Sequence, residues 1–210
     1  AYDVACHSIR RRLSSPIPIE GLYLHELKAK GLYHRPTHRR EGGQLWDVIS
    51  RAPMSTEFAC SRFLVPHLAK SGWALFLDCD VLARCDLADL FALADPRYAV
   101  MCVQHEHSPA SLVKMDGKAQ TAYARKNWSS VMLWNLDHAA NQRLTLDMVN
   151  ELPGRDLHRF CWLEDSEIGS LGVEWNWLAG HSDPMIDPRI VHYTDGYPLM
   201  AGYESAPFAD

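Results

Sequence analysis

Short apolar runs bounded by Gly, Pro and acidic residues alternate along this chain with stretches whose apolar side chains recur at helical spacing, and that alternation predicts an α/β fold. Val4, Ile9 and Leu13 stand near helical spacing beside Arg10 to Arg12, so a helix is expected to be under way at the start. Ser14, Ser15, Pro16 and Pro18 break it; residues 17–22 predict a short strand, and the Pro-, Gly- and His-rich residues 31–43 a loop. A helix is expected over residues 56–70, where Phe58, Ala59, Phe63, Leu64 and Leu68 make an apolar stripe, Ser55 or Thr56 can cap the start and Gly72 follows the end. Trp73-Ala74-Leu75-Phe76-Leu77 is a continuous apolar run, the pattern of a strand buried in a mostly parallel sheet. A helix near 87–93, a strand over 98–103, a loop through Pro109 and Gly117, an apolar run over 131–134 and a helical piece over 144–152 extend the alternation. Beyond it the chain is rich in Trp, His, Asp, Gly and Pro, with short apolar runs such as Ile190-Val191, and reads as loops packed over a site.

Composition narrows the class. A chain of 210 residues, 47% hydrophobic and 22% charged, can bury a continuous core, and no repeat or linker divides it, which predicts a single domain over residues 1–210. Six cysteines form no CxxC pair and no zinc-site spacing, so they read as reduced thiols. No apolar stretch approaches the roughly 18 residues of a spanning helix, and no signal-peptide pattern opens the chain, so a cytoplasmic location is expected. The net charge of -5 argues against nucleic acid as a partner. The basic runs Arg10 to Arg12 and His34, Arg35, His38, Arg39, Arg40 read as solvated faces, with a phosphate or acidic acceptor as the alternative.

Chemistry concentrates at Phe76-Leu77-Asp78-Cys79-Asp80, where two carboxylates leave the end of an apolar strand. Open α/β sheets bind ligands beyond such ends. Close carboxylates repel one another, and a divalent cation between them resolves the repulsion; hard oxygen ligands favour magnesium or manganese. On spacing alone, a surface turn with an Asp capping the next helix fits equally well.

The surroundings of these acids resemble the retaining glycosyltransferases of family eight, the glycogenin and bacterial lipopolysaccharide galactosyltransferase group, which have the GT-A fold. Ser61-Arg62-Phe63-Leu64-Val65-Pro66 followed by the strand and Asp78-Cys79-Asp80 looks like the family's Arg-containing helix and DxD strand. Asn127-Trp128-Ser129-Ser130-Val131 is similar to its Phe-Asn-Ser-Gly-Val segment, with Trp128 where the Asn usually stands and Asn127 next to it. Glu164-Asp165-Ser166-Glu167 resembles its Asp-Gln-Asp block, with Ser166 in place of Gln, and Val191-His192-Tyr193-Thr194-Asp195-Gly196 its Val-His-Phe/Tyr-x-x-Gly close, without the following Lys.

The resemblance implies a single GT-A domain that moves a sugar from a nucleoside diphosphate donor, most commonly a UDP-sugar, to a glycan, lipid-linked or protein acceptor with retention. It implies Mn2+ or Mg2+ held by Asp78, Asp80 and His192, and donor contacts from Arg62, Asp78, Cys79, Asp80, Asn127, Trp128, Ser129 and Gly196. As catalytic residues it implies Asp165 on the sugar hydroxyls, Ser166 at the position beneath the reacting carbon, and Arg62 as a second positive group beside the departing diphosphate. Family members open with a strand that precedes the first helix here; with Ala rather than Met at position 1, that strand is expected to be missing. Two rival readings remain: a non-catalytic nucleotide-sugar or glycan-binding module, and a phosphatase whose DxD supplies nucleophile and acid. Trp162, Trp175 and Trp177 read as core packing rather than as a platform for an acceptor sugar.

Overall fold

The computed structural model describes residues 1–105, 125 and 128–209. The expected first helix is α1 (Tyr2–Arg10), which buries Ala5, Cys6, Ser8 and Ile9. Residues 17–22 form no strand, because Pro16 and Pro18 have no N–H to give to a ladder. After α2 (Leu24–Ala29) comes a hairpin where a loop was expected. Strands β1 (Thr37–Arg39), β2 (Leu45–Asp47) and β3 (Ala52–Pro53) make a small antiparallel sheet. Its first turn is possible because Gly42 and Gly43 take φ of 83° and 80°, a region open to glycine at little cost. Arg35, read as part of a solvated basic face, is buried beside β2, whereas His34, His38, Arg39 and Arg40 are exposed.

The helix expected over 56–70 is broken into a 3-10 turn (Ser61–Leu64) and the short α3 (Val65–Leu68). Pro66 cannot donate to the Arg62 carbonyl, so a helix entering from upstream cannot run through it, but it fits the first turn of a new one. Ala59, Phe63 and Leu64 are buried as the stripe requires, while Phe58 and Leu68 face solvent.

Then follow β4 (Trp73–Leu77), β5 (Val81–Ala83), α4 (Ala88–Phe91), β6 (Val100–Val103), β7 (Val131–Asn135) and α5 (Leu146–Glu151). The last is capped by Thr145, whose hydroxyl accepts from the Met148 N–H at 3.1 Å. The chain closes with α6 (Gly154–His158), β8 (Ile168–Leu171), β9 (Trp177–Leu178) and β10 (Ile190–His192).

These elements make an α/β fold with mixed sheets flanked by helices. The central sheet has the order β4-β7-β6-β8 and a second sheet the order β5-β10-β9. Among the described residues only the β6–β8 and β9–β10 ladders are parallel, fewer than expected. The reason lies in the register: Leu77 pairs with Val131 and Cys102 with Met132, so β7 begins where β4 and β6 end and must run back against both. Consequently β7, paired on both sides, is fully buried, as is β6, whereas β4 is half-buried at the sheet edge.

Period-two alternation along β7 divides the core. Met132 and Trp134 point into one cluster with Phe63, Leu157 and Phe160, whereas Val131 and Leu133 point into the other with Leu90 and Ile190. Trp134 lies parallel to Trp162 at 6.0 Å, and Trp162, Trp175 and Trp177 are all buried, as the packing reading requires. The six cysteines are free thiols. Among the described residues, no helix is long and apolar enough to cross a membrane.

Candidate metal site

The end of β4 sets the site. The Asp78 N–H donates to the Ser130 carbonyl at 3.0 Å, which carries the β4–β7 ladder one bond beyond Leu77. The chain then turns into β5, and antiparallel pairing of β5 with β10 puts His192 opposite Val81, beside Asp80. The Tyr193 N–H donates to the Asp80 carbonyl at 3.0 Å and closes the corner. Backbone pairing thus gathers Asp78, Asp80 and His192 across 112 to 114 positions of chain, with their potential ligand atoms all within 4.8 Å of one another.

His192 is buried, and its ring nitrogens are differentiated. Nδ1 lies 2.9 Å from Asn176 Oδ1, an oxygen that can only accept, so the Nδ1 proton is committed there. That leaves Nε2 as a lone-pair donor atom, 3.4 Å from Asp80 Oδ1. Two electron-rich atoms facing each other at this distance are relieved by a cation between them. The donor set therefore fits a hard or borderline divalent ion. Burial pushes the Asp80 carboxyl up, but its contact with His192, its own backbone and the Arg62 charge outweigh that and hold the carboxyl below its ordinary value.

Arg62, on the 3-10 turn, grips the other carboxylate. Nη1 donates to Asp78 Oδ2 at 2.9 Å and to the Ser129 carbonyl at 2.9 Å, Nη2 lies 2.7 Å from Asp78 Oδ1, and Nε donates to the Ala59 carbonyl at 3.0 Å. Every guanidinium nitrogen is engaged, so in this arrangement Arg62 orients Asp78 rather than reaching toward a ligand. Asp78, Asp80 and Arg62 together carry one net negative charge, which a divalent ion converts to one net positive charge suited to an anionic ligand.

No protein-family model matches the chain. Over 216 aligned residues, covering 100% of this chain and 78% of the relative, it is 47% identical to Protein CDI of Arabidopsis thaliana. The chain belongs to the Protein CDI family. Among solved structures it is similar to the bifunctional glycosyltransferase WbbM, with a TM-score of 0.47 and 16% identity over 70% of this chain and 33% of that one. It is also similar to mouse xyloside xylosyltransferase 1 (TM-score 0.46, 14% identity, 68% and 65% covered) and to the galactosyltransferase LgtC (0.43, 17%, 68% and 60%). The chain spans about a third of the WbbM chain it matches. Likeness at these scores carries no argument about activity, which is argued below from the site.

In this member of the CDI family, Cys79 is exposed between the two acids and lines, with Asp80, Val4, Tyr193 and Leu199, a cavity of about 260 Å³. Ser129 is buried beneath Arg62, and the Trp128 indole N–H donates to the His105 carbonyl at 3.1 Å. Asn127 lies outside the described residues. Asp165 and Ser166 lie on a separate element. They occupy a 3-10 turn (Asp165–Glu167) capped by Glu164 and Glu167, and the Asp165 carboxylate is exposed and paired with Arg125. The turn feeds into β8 beside Val100, at the end of the sheet away from Leu77.

Gly196 approaches its own chain closely: a Cβ there would stand 2.6 Å from the Tyr203 ring. Gly196→Ala is therefore expected to dislodge Tyr203, which a rise in fluorescence quenching of the tyrosines by acrylamide would detect; an unchanged spectrum and accessibility would contradict the packing.

Two residues escape the sequence reading. Asn176 lies between Trp175 and Trp177 with nothing local to mark it. His105 follows β6, and its buried Nε2 has no hydrogen-bond partner among the described residues. Burial, with a lesser push from neighbouring His192, brings its imidazole down to about 4.

Proposed function

We propose that the protein is a GT-A type, metal-dependent glycosyltransferase acting on a nucleoside diphosphate sugar. The observation that carries the proposal is the triad itself: two strand-end carboxylates and a histidine whose lone pair is aimed at them by Asn176. Asp78, Asp80 and His192 would hold Mn2+ or Mg2+, which when bound supplies positive charge to offset that growing on the departing diphosphate. Arg62 keeps Asp78 aimed, and Ser129 and Gly196 shape the adjoining walls. UDP is the proposed carrier and a glycan, lipid-linked or protein hydroxyl the acceptor. In the retaining reaction the bond from the anomeric carbon to the phosphate oxygen breaks, the bond to the acceptor oxygen forms on the same face, and the acceptor proton passes to the departing phosphate. Asp165 and Ser166 are proposed to meet the sugar, and the free thiols support a reducing, cytoplasmic setting.

One observation favours a second reading, a module that binds the donor without transferring it: the Asp165 carboxylate stands exposed and is paired with Arg125. Calorimetric titration with UDP, with and without Mn2+, followed by assay of UDP release from a panel of UDP-sugars, separates the two. Manganese-dependent binding with turnover supports the transferase, binding without turnover the module, and absence of binding in Mn2+ rejects both.

A further inference from the structure

The ion pair that aims Asp78 is itself anchored from outside the triad. Arg62 rises from a 3-10 turn, an element with poorer hydrogen-bond geometry than an α-helix, and its orientation depends on the two carbonyls it donates to, those of Ala59 and Ser129. Ser129 lies in a second such turn (Trp128–Ser130) ahead of β7. Its side chain is tied: Oγ shares a 2.6 Å hydrogen bond with Nδ1 of His158, the last residue of α6. His158 packs edge-on against Phe63, the neighbour of Arg62 in sequence, at 5.2 Å between ring centroids. Burial, with a further push from the Arg62 charge, brings its imidazole down to about 3, so it stays neutral under physiological conditions.

We propose that His158 is a positioning residue for the metal site: through Ser129 it fixes the carbonyl that orients Arg62, and Arg62 holds Asp78 in the posture of a ligand. The links are short and continuous, 2.6 Å from His158 to Ser129 Oγ, 2.9 Å from the Ser129 carbonyl to Arg62 Nη1 and 2.9 Å from Nη1 to Asp78 Oδ2. A misplaced Ser129 carbonyl lets the guanidinium rotate, and a bidentate grip tolerates little rotation. The inference rests on the triad being a divalent-ion site.

The test is Mn2+ affinity in the absence of nucleotide, read from the electron paramagnetic resonance signal of the free hydrated ion. His158→Phe keeps a ring against Phe63 and removes the hydrogen bond; it is expected to weaken Mn2+ binding about tenfold, the scale of losing a supporting contact, with an unchanged thermal midpoint. His158→Asn, whose amide can replace the Nδ1 hydrogen bond, is expected to lose no more than about threefold. Ser129→Ala should match His158→Phe, and the double variant should be no weaker than either single one, because both break the same link. Parental affinity in His158→Phe or Ser129→Ala, or additive losses in the double variant, would overturn the proposal. If His158→Phe fails to fold, Ser129→Ala decides alone. A parent protein that binds no Mn2+ rejects the metal-site reading, and this proposal with it, before any variant is compared.

Discussion

Replacing Asp80 with Asn is expected to weaken divalent-ion binding by more than about a hundredfold, beyond the usual cost of losing a supporting residue, and to abolish metal-dependent turnover. The substitution preserves shape and one oxygen, so what it removes is charge. Asp80 is the carboxylate that faces His192 Nε2, and with it neutral Asp78 and Arg62 balance to zero rather than leaving one negative charge. Little else depends on that charge, because the side chain keeps 34% of its exposure and its backbone carbonyl still accepts from Tyr193. The thermal midpoint should therefore hold while Mn2+ binding disappears. Asp78→Asn is a less clean experiment. It strips the anion from Arg62, whose side chain is only 11% exposed, so lost affinity and a loosened fold would arrive together. Mn2+ titration and UDP release on Asp80→Asn provide the measurement, and retention of parental Mn2+ affinity would show that the ion binds elsewhere or not at all.

What the sequence makes legible here is whatever is local. The apolar runs that became β6 and β7, the helical piece that became α5 and the pair of acids at a strand end are all written in neighbouring residues. Strand direction is not, since a run such as Trp73–Leu77 has the same composition whether its partner is parallel or antiparallel; only the position where β7 begins decides that. The hairpin of β1 and β2 was hidden by basic residues on its exposed face, although Gly42-Gly43 marks its turn. Apolar spacing continues through Pro66 and hides the break it makes. Within the site, Asn176 and His158 act on His192 and Ser129 from 16 and 29 positions away, and no periodicity links them. His192 itself was reached through a family resemblance, and it is the β5–β10 ladder that explains physically why it stands beside Asp80.

The most damaging change to the fold is expected far from the triad, at the buried pair of Arg35 and Asp47. Both side chains have no exposure, and Arg35 ties the hairpin to α5: Nη2 pairs with Asp47 and donates to the Leu152 carbonyl at 2.8 Å, while Nη1 donates to the Val149 carbonyl at 2.7 Å. Asp47 Oδ2 also accepts from the hydroxyl and the N–H of Ser50. Even so, Arg35 Nε and Asp47 Oδ1 have no partner among the described residues, so the desolvation of the two charges is only partly offset. Asp47→Ala leaves a guanidinium without an anion in a dry setting, and urea unfolding should show a loss of about 3–5 kcal/mol. The double change Arg35→Met/Asp47→Leu should recover much of that, because apolar side chains of similar volume often replace a buried ion pair without loss. Recovery will be incomplete, since the carbonyls of Val149 and Leu152 would lose the donors they have now. A loss below about 1 kcal/mol in Asp47→Ala, the scale of an exposed pair, would mean that water reaches the guanidinium and that the hairpin is held by its apolar contacts alone.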